Sequence, residues 1–297
     1  MNKPVLILTS QKDPSRKNLT KALAEHFTGK VEIRSDSFEN FSCILGTNVL
    51  QGFISHTKLS SFGFVYLSGK QALHAIPKTI ALCLQLDNVP FSDEVIVYGA
   101  YFGNKLVSLA RLAHSGVRIS ESVFCVVSNN KNNLDLIEKL GFPLIIKSLN
   151  AHQMKGVFVV KTKEELQVFM GKHPDEHFLF QKFIDIANEW RFLVIGGRAI
   201  SAHNKVPRSY TDERVGYVNP NQWHSFVDVE TLSEELVDEA ERAAKSLKLD
   251  IAGVDVCVDK EDKIRVIEVN RSPGIDYDKD SPEIKGLEAY IEKKLSL

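Results

Sequence analysis

The 297-residue sequence predicts an α/β protein whose C-terminal part shifts to α+β character. Three observations carry this expectation. Short apolar runs alternate with helical segments over the first hundred residues, the pattern of parallel strands joined by crossover helices. Gly196-Gly197 separates two apolar runs, and two glycines that accept positive φ make a tight hairpin turn. Residues 253–259 and 264–270 form a second apolar pair around a short polar break.

In order along the chain, residues 5–8 read as a strand, and 19–27 as a helix with Leu19, Leu23 and Phe27 at helical spacing. Residues 31–34, 43–45 and 64–67 are further strand-like runs. Thr9-Ser10-Gln11-Lys12 is no glycine-rich phosphate loop, so no separate nucleotide site is expected in this half. Residues 104–116 form a helix closed by Gly116, and 134–140 a second ended by Gly141. Pro143 opens a strand at 144–147, and a loop over 148–156 leads into another at 157–160. Helical spacing returns at 162–170, followed by an apolar run at 178–184 that contains Gln181 and Lys182. Residues 191–195 and 199–203 flank the Gly-Gly turn. Residues 207–223 have little periodicity, which marks a functional or mobile loop. Thr231 and Glu234 match a capping box for a helix running to Leu247. Leu287, Tyr290, Ile291 and Leu295 predict a final helix packed back on the body.

Composition narrows the function classes. Apolar residues make up 43% and charged residues 25%, which excludes wholesale disorder. A formal charge of -1, with no basic block, argues against a nucleic-acid partner. No apolar run approaches the ~18 residues that span a bilayer, and the first apolar stretch is too short for a signal-peptide core. Cys43, Cys83, Cys125 and Cys257 lack metal-ligand or redox spacing, so they read as reduced thiols of a cytoplasmic protein. His173 and His177 are four apart, but Pro174 argues against one regular helix presenting both to a metal.

The sharpest local inference concerns carboxylates. If residues 260–263 form a four-residue turn, Asp255 faces Glu268 across a hairpin, and Asn270 shares their face. Like charges directly opposite one another are destabilising, so something must neutralise them. A divalent cation held by two carboxylates and an amide oxygen would do so, Mg²⁺ being a hard ion that prefers this donor set. The alternatives are a register slip or a nearby Arg or Lys. Lys147 ends a strand ahead of a loop with few bulky residues, where it reaches either phosphates or solvent.

Together these segments resemble the ATP-grasp ligases, most closely the ribosomal-protein glutamate ligase (RimK-like) group. The resemblance covers residues 104–274 in matching order. Asn104-Lys105-Leu106 resembles the group's first lysine-bearing helix, and Phe142-Pro143-Leu144-Ile145-Ile146-Lys147 its second nucleotide lysine. Phe180-Gln181-Lys182-Phe183-Ile184 is similar to the hinge that holds adenine, and Glu189-Trp190-Arg191 to the acidic step that contacts ribose. Gly253-Val254-Asp255-Val256 and Ile267-Glu268-Val269-Asn270-Arg271-Ser272-Pro273-Gly274 resemble the metal hairpin. The sequence departs from the group at Ala151 and Met154, where glycines are common, leaving Gly156 in the phosphate loop. Lys182 also replaces an acidic hinge residue.

The resemblance implies an N-terminal α/β domain (1–100) followed by two ATP-grasp subdomains (101–180 and 181–297). It implies ATP bound through Lys105, Lys147, Gly156, Gln181, Lys182, Phe183, Ile184 and Glu189. Magnesium, two ions with manganese as a substitute, would sit on Asp255, Glu268 and Asn270. Lys205, Arg208 and Arg191 would act on the transferring phosphoryl group. The implied reaction joins a carboxylate to an amine through an acylphosphate, on small-molecule or peptide substrates, with neither nucleic acid nor membrane as partner. A phosphotransferase and a non-catalytic ATP-binding protein of the same fold stand as alternatives.

Overall fold

The computed structural model describes residues 3–10, 16–47, 49–68, 75–98, 105–126, 131–149, 156–173, 176–205 and 223–296. The first part contains β1 (Val5–Thr9), α1 (Arg16–His26), β2 (Ile33–Ser37), β3 (Phe41–Gly46), β4 (Val49–Ile54), β5 (Thr57–Lys58), β6 (Phe64–Leu67) and α2 (Ala75–Leu86). The central strand β1 pairs in parallel with β2 and β6 and is buried at every position. Its apolar run is continuous because both faces are covered: Val5 and Ile7 enter one core, Leu6 and Leu8 another.

Residues 43–45 do not join this parallel sheet, which corrects the expectation of parallel pairing throughout. They lie in β3, which pairs antiparallel with β4 in a separate sheet of order β3-β4-β5. The β4 sequence, VLQGFI, hides its strand because Gln51 and Gly52 interrupt the apolar pattern. The sequence reading also passes over α2, where Pro77 sits in the first turn that tolerates it.

The next part contains α3 (Lys105–His114), β7 (Ser122–Phe124), α4 (Lys131–Glu138), β8 (Leu144–Ser148), β9 (Val157–Val160), α5 (Lys163–Lys172) and β10 (Phe178–Lys182). Its sheet is antiparallel, in the order β7-β10-β8-β9. Alternation in β8 sends Leu144 and Ile146 into a core with Leu166, Met170, Phe178 and Phe180, and leaves Lys147 on the other face. Thr162 caps α5 by accepting from the Glu165 amide at 3.2 Å.

The last part contains β11 (Ile186–Ile195), β12 (Arg198–Lys205), β13 (Trp223–Val227), α6 (Glu234–Ser246), β14 (Ile251–Asp259), β15 (Ile264–Asn270) and α7 (Pro282–Leu295). The five-stranded sheet has the order β13-β12-β11-β14-β15. Gly196 and Gly197, at φ 59° and 84°, turn β11 into β12 as the sequence predicts. Phe192, Val194, Val254 and Val256 face α6, while Leu193, Ile195 and Ile251 face α7. The capping box is not formed. Thr231 closes a short 3₁₀ turn and donates to the Asp228 carbonyl at 2.7 Å, so α6 begins after Ser233 instead.

Helix α7 lies between this sheet and the first one. Ile284, Leu287, Tyr290 and Ile291 share a single core with Val5, Ile7, Leu19, Leu23, Phe27 and Phe64. Glu292 adds a hydrogen bond to His26 and an ion pair to Lys30, both at 3.0 Å. Gly286 is where α7 touches β12: a Cβ there would meet the Ile200 side chain at 2.7 Å. Among the described residues no helix is long and apolar enough to cross a membrane. We expect Gly286→Val to overpack this contact and lower the unfolding free energy by about 1–3 kcal/mol, measured by urea titration.

Candidate functional site

On the α7 side of the five-stranded sheet the apolar residues give way to charge as the strands run past the helix. Arg191 is paired in register with both His203 and Asp255, and Asp255 with Glu268. One row across four strands therefore reads His203, Arg191, Asp255, Glu268. In the adjacent row Glu189 is opposite Lys205. Gly253, beside Asp255 on this face, keeps the row close: a Cβ there would meet Pro273 at 3.0 Å.

The row is knit by charge-assisted bonds. Arg191 donates to Asp255 through two nitrogens, Nε to Oδ1 at 2.5 Å and Nη2 to Oδ2 at 2.6 Å. Lys205 Nζ lies 2.9 Å from Asp255 Oδ2 and 2.5 Å from Glu189 Oε1. Asp255 is 3% and Glu189 1% exposed, so neither carboxylate relies on water. Burial pushes the Asp255 carboxyl up, but the Lys205 charge and the Arg191 bonds outweigh it and hold it down at about 2. Asp255 is therefore anionic at neutral pH, the form in which a carboxylate ligates a metal.

Asp255 faces Glu268 as the sequence predicts, but by a different route. Val258, not Asp259, pairs with Ile264, so the turn is longer than four residues. The register shift between Asp255 and Val256 leaves Ile267 without a partner and restores the pairing one step later. Asp259 turns instead to Arg265 and to the amides of Glu261 and Lys263. Asn270, opposite Gly253, joins them: turned to suit its neighbours, its side-chain amide directs nitrogen to Glu268 Oε1 at 2.7 Å and oxygen to Arg191 Nη2 at 3.1 Å. Two carboxylates and a side-chain amide thus share one face, residue types suited to a hard cation, with the amide oxygen turned to Arg191. In this structure the Asp255 charge is balanced by Arg191 and Lys205, one of the alternatives that the sequence left open. Glu268 is exposed.

The other nucleotide candidates gather around the four-stranded sheet. Lys105 reaches from α3 to the Ser148 carbonyl at 3.4 Å, next to Lys147. The Ser148 amide donates to the Gly156 carbonyl at 2.7 Å, closing the neck of the loop between β8 and β9. Gln181 is buried and donates to Ser122 Oγ at 2.8 Å. The Lys182 amide donates to the Glu121 carbonyl, and its own carbonyl accepts from Ser120 Oγ at 2.7 Å. Its exposed ammonium is 3.3 Å from Glu121. Phe183 and Ile184 follow, half-buried, ahead of β11. Arg208 lies outside the described residues, as do Ala151, Met154 and most of the irregular segment at 207–223.

Sequence reasoning missed the neighbours of this row. A cavity of about 340 Å³ is lined by His203, Phe226, Asp276, Asp278, Pro282 and Glu283, among others. Glu283 is buried, accepts from Ser201 Oγ at 2.6 Å, and lies 3.2 Å from His203 Nε2. Burial pushes its carboxyl up, yet the bonds from His203, Ser201 and the Asp276 amide bring it below its ordinary value. Alternation along β12 back from Lys205 would have found His203 and Ser201. Glu283 carries no such signal, because it arrives from a separate helix.

A family model described as a RimK-like ATP-grasp domain matches residues 103–287. A probable alpha-L-glutamate ligase of Maridesulfovibrio salexigens is 32% identical over 200 residues, 64% of this chain and 63% of that protein. A ribosomal protein bS6–L-glutamate ligase of Salmonella paratyphi B is 28% identical over 199 residues, 64% of this chain and 62% of its own. The chain thus spans less than two thirds of the length of these relatives. Among solved structures, the ATP-grasp ligase PsnB with precursor peptide PsnA2 and AMPPNP superposes with a TM-score of 0.74 at 15% identity, covering 99% of this chain and 98% of its own. The D-alanine–D-alanine ligase of Bacillus anthracis with ATP gives 0.61 at 19% identity, covering 100% and 98%. At such identities the likeness shows the fold.

Because Asp255 is held below its ordinary value of 3.8, its charge stabilises the fold fully above about pH 4, and that contribution is lost as pH falls toward about 2. Asp255→Asn is expected to flatten the acid limb of the stability curve between these limits. At pH 7 it should cost about 3–5 kcal/mol, since Arg191 and Lys205 lose a shared buried counter-charge. Urea unfolding at a series of pH values checks both.

Proposed function

Since the chain belongs to the RimK-like ATP-grasp family, we propose that it is an ATP- and magnesium-dependent ligase that joins a carboxylate to an amine. The observation that carries this reading is the charged row Arg191, Asp255, Glu268 with Asn270 and Lys205 beside it. Several relatives with similar sequences are named glutamate ligases, which supports an amino acid added to a peptide, protein or small metabolite. The reading takes residues 1–100 as an N-terminal domain, with 101–180 and 181–297 as the two parts that enclose ATP. A cytoplasmic setting supplies ATP and magnesium.

The chemistry asks little covalent work of the protein. A γ-phosphoryl group passes from ATP to the acid, and the amine then displaces phosphate from the acylphosphate. The protein must gather mutually repelling anions and align them. Asp255, Glu268 and Asn270 would hold the metal; bound there, magnesium neutralises phosphate charge, with two ions expected and manganese as a substitute. Lys105 and Lys147 would neutralise phosphates from the four-stranded sheet, beside the loop neck at Gly156. Gln181, Lys182, Phe183 and Ile184 would line the base, its donor not being the Lys182 amide, which is already bonded to Glu121. Glu189 would lie near the ribose. Arg191 and Lys205, joined by Arg208, would meet the transferring group; both are positioned in advance by Asp255, so little reorganisation is needed at the moment of transfer. The carboxylate-lined cavity beside His203 suits the ammonium form of the amine.

Purified protein incubated with ATP, magnesium and a mixture of amino acids, followed by mass spectrometry, is expected to release ADP and form an amide. A phosphorylated product with no amine requirement would identify a phosphotransferase, and ATP binding with no turnover a non-catalytic protein. Glu268→Gln should lower turnover by about 10²–10³ while leaving the unfolding midpoint nearly unchanged, because Glu268 is exposed. Full activity in this variant would overturn the assignment of the metal site.

A further inference from the structure

The four cysteines are free, and three of them are buried. Cys125 follows β7 of the four-stranded sheet and Cys257 lies in β14 of the five-stranded one. The other two lie in the first part of the chain, Cys43 in β3 and Cys83 in α2. Cys43 in β3 is paired in register with Gly52 in β4, so both positions address the same face. Helix α2 packs over that face, with Ile80, Cys83 and Leu84 in one core with Ile54 and Leu59. Gly52 has no side chain, and Cys83 fills the vacancy: a Cβ at Gly52 would lie 3.1 Å from Cys83 Cβ and 3.0 Å from its sulfur. Cross-strand partners place Cys43 Cβ about 4.5–5.5 Å from that same point. Those two distances allow Cβ separations of about 1.4–8.6 Å, a span that contains the about 3.5–4.5 Å of a disulfide.

We propose that Cys43 and Cys83 form a reversible oxidation site in which a small-molecule disulfide such as oxidised glutathione cross-links β3 to α2. The two thiols differ in role. Cys43 is half-exposed, so it is the one an oxidant reaches. Cys83 is 1% exposed, and burial, then the neighbouring Cys43 and Asp87, push its thiol up to about 11. The Cys43 thiolate attacks one sulfur of oxidised glutathione, forming a mixed disulfide and expelling one glutathione thiolate. Cys83 loses its proton and attacks the Cys43 sulfur, expelling the second glutathione thiolate, which takes up a proton. Two protein thiols are thereby oxidised by two electrons, and one molecule of oxidised glutathione becomes two of the thiol. The buried Cys257, whose thiol burial and Glu189 push up to about 12, lacks both access and a partner sulfur in its own sheet.

The test uses the intact folded chain with oxidised glutathione, an acid quench, and alkylation under denaturing conditions before peptide mass spectrometry. The expected result is loss of two of the four alkylatable thiols, with the Cys43 and Cys83 peptides joined and Cys125 and Cys257 still alkylated. Cys83→Ser should instead accumulate a stable glutathione adduct on Cys43, and Cys43→Ser should leave Cys83 fully alkylated. A stable Cys43 adduct in the unaltered chain, with Cys83 alkylated, would overturn the proposal. So would four alkylated thiols.

Discussion

A carboxylate buried in the middle of a five-stranded sheet survives only if its charge is answered within the sheet, and Asp255 is answered by Arg191 and Lys205. That answer organises everything around it. The two-pronged Arg191 bond runs between the two strands with the most extensive mutual pairing, so it fixes which side chains of β11 and β14 stand side by side. Lys205 then ties β12 to both through Glu189 and Asp255, and Asn270 brings β15 to the same guanidinium. A one-residue slip of any of these strands would turn its charged residue into the apolar layer under α6. The arrangement is costly to bury and correspondingly specific.

The site is also tied to the neighbouring sheet by a short stretch of backbone. Arg118 gives its carbonyl to the Val266 amide of β15, and Ile119 bridges to the same residue. Ser120, Glu121 and Ser122 then clasp Gln181 and Lys182 at the end of β10. Residues 118–122 therefore touch the strand that carries Glu268 and the segment that leads into β11.

Much of this was legible in the sequence, for identifiable reasons. The Gly-Gly turn, the continuous apolar β1 and the opposition of Asp255 and Glu268 are local patterns of short period, and sequence reports those well. What escaped depends on distance or on compensation. The bulge at Ile267 offsets a turn one residue longer than expected, and two departures that cancel leave no trace in a spacing argument. The antiparallel β3-β4 pair was hidden because Gly52 replaces an apolar residue with space for Cys83, a partner more than thirty positions away. Helix α6 starts after Ser233, without a side-chain cap, because Thr231 is spent on Asp228, a competition invisible to a four-residue motif. Glu283 reaches His203 from another element altogether.

Helix α7 gives the molecule an unusual order of assembly. The hydrophobic face of β1 and α1 is not closed by the segments that immediately follow but by side chains such as Leu287 and Ile291, made more than two hundred and fifty residues later. During synthesis, elongation at about 5–20 residues per second leaves that face uncovered for some tens of seconds. The nascent N-terminal part must therefore wait, sticky and incomplete, and a chaperone that shields apolar surface has its natural window of action there. A fragment that stops short of α7 inherits the same defect permanently.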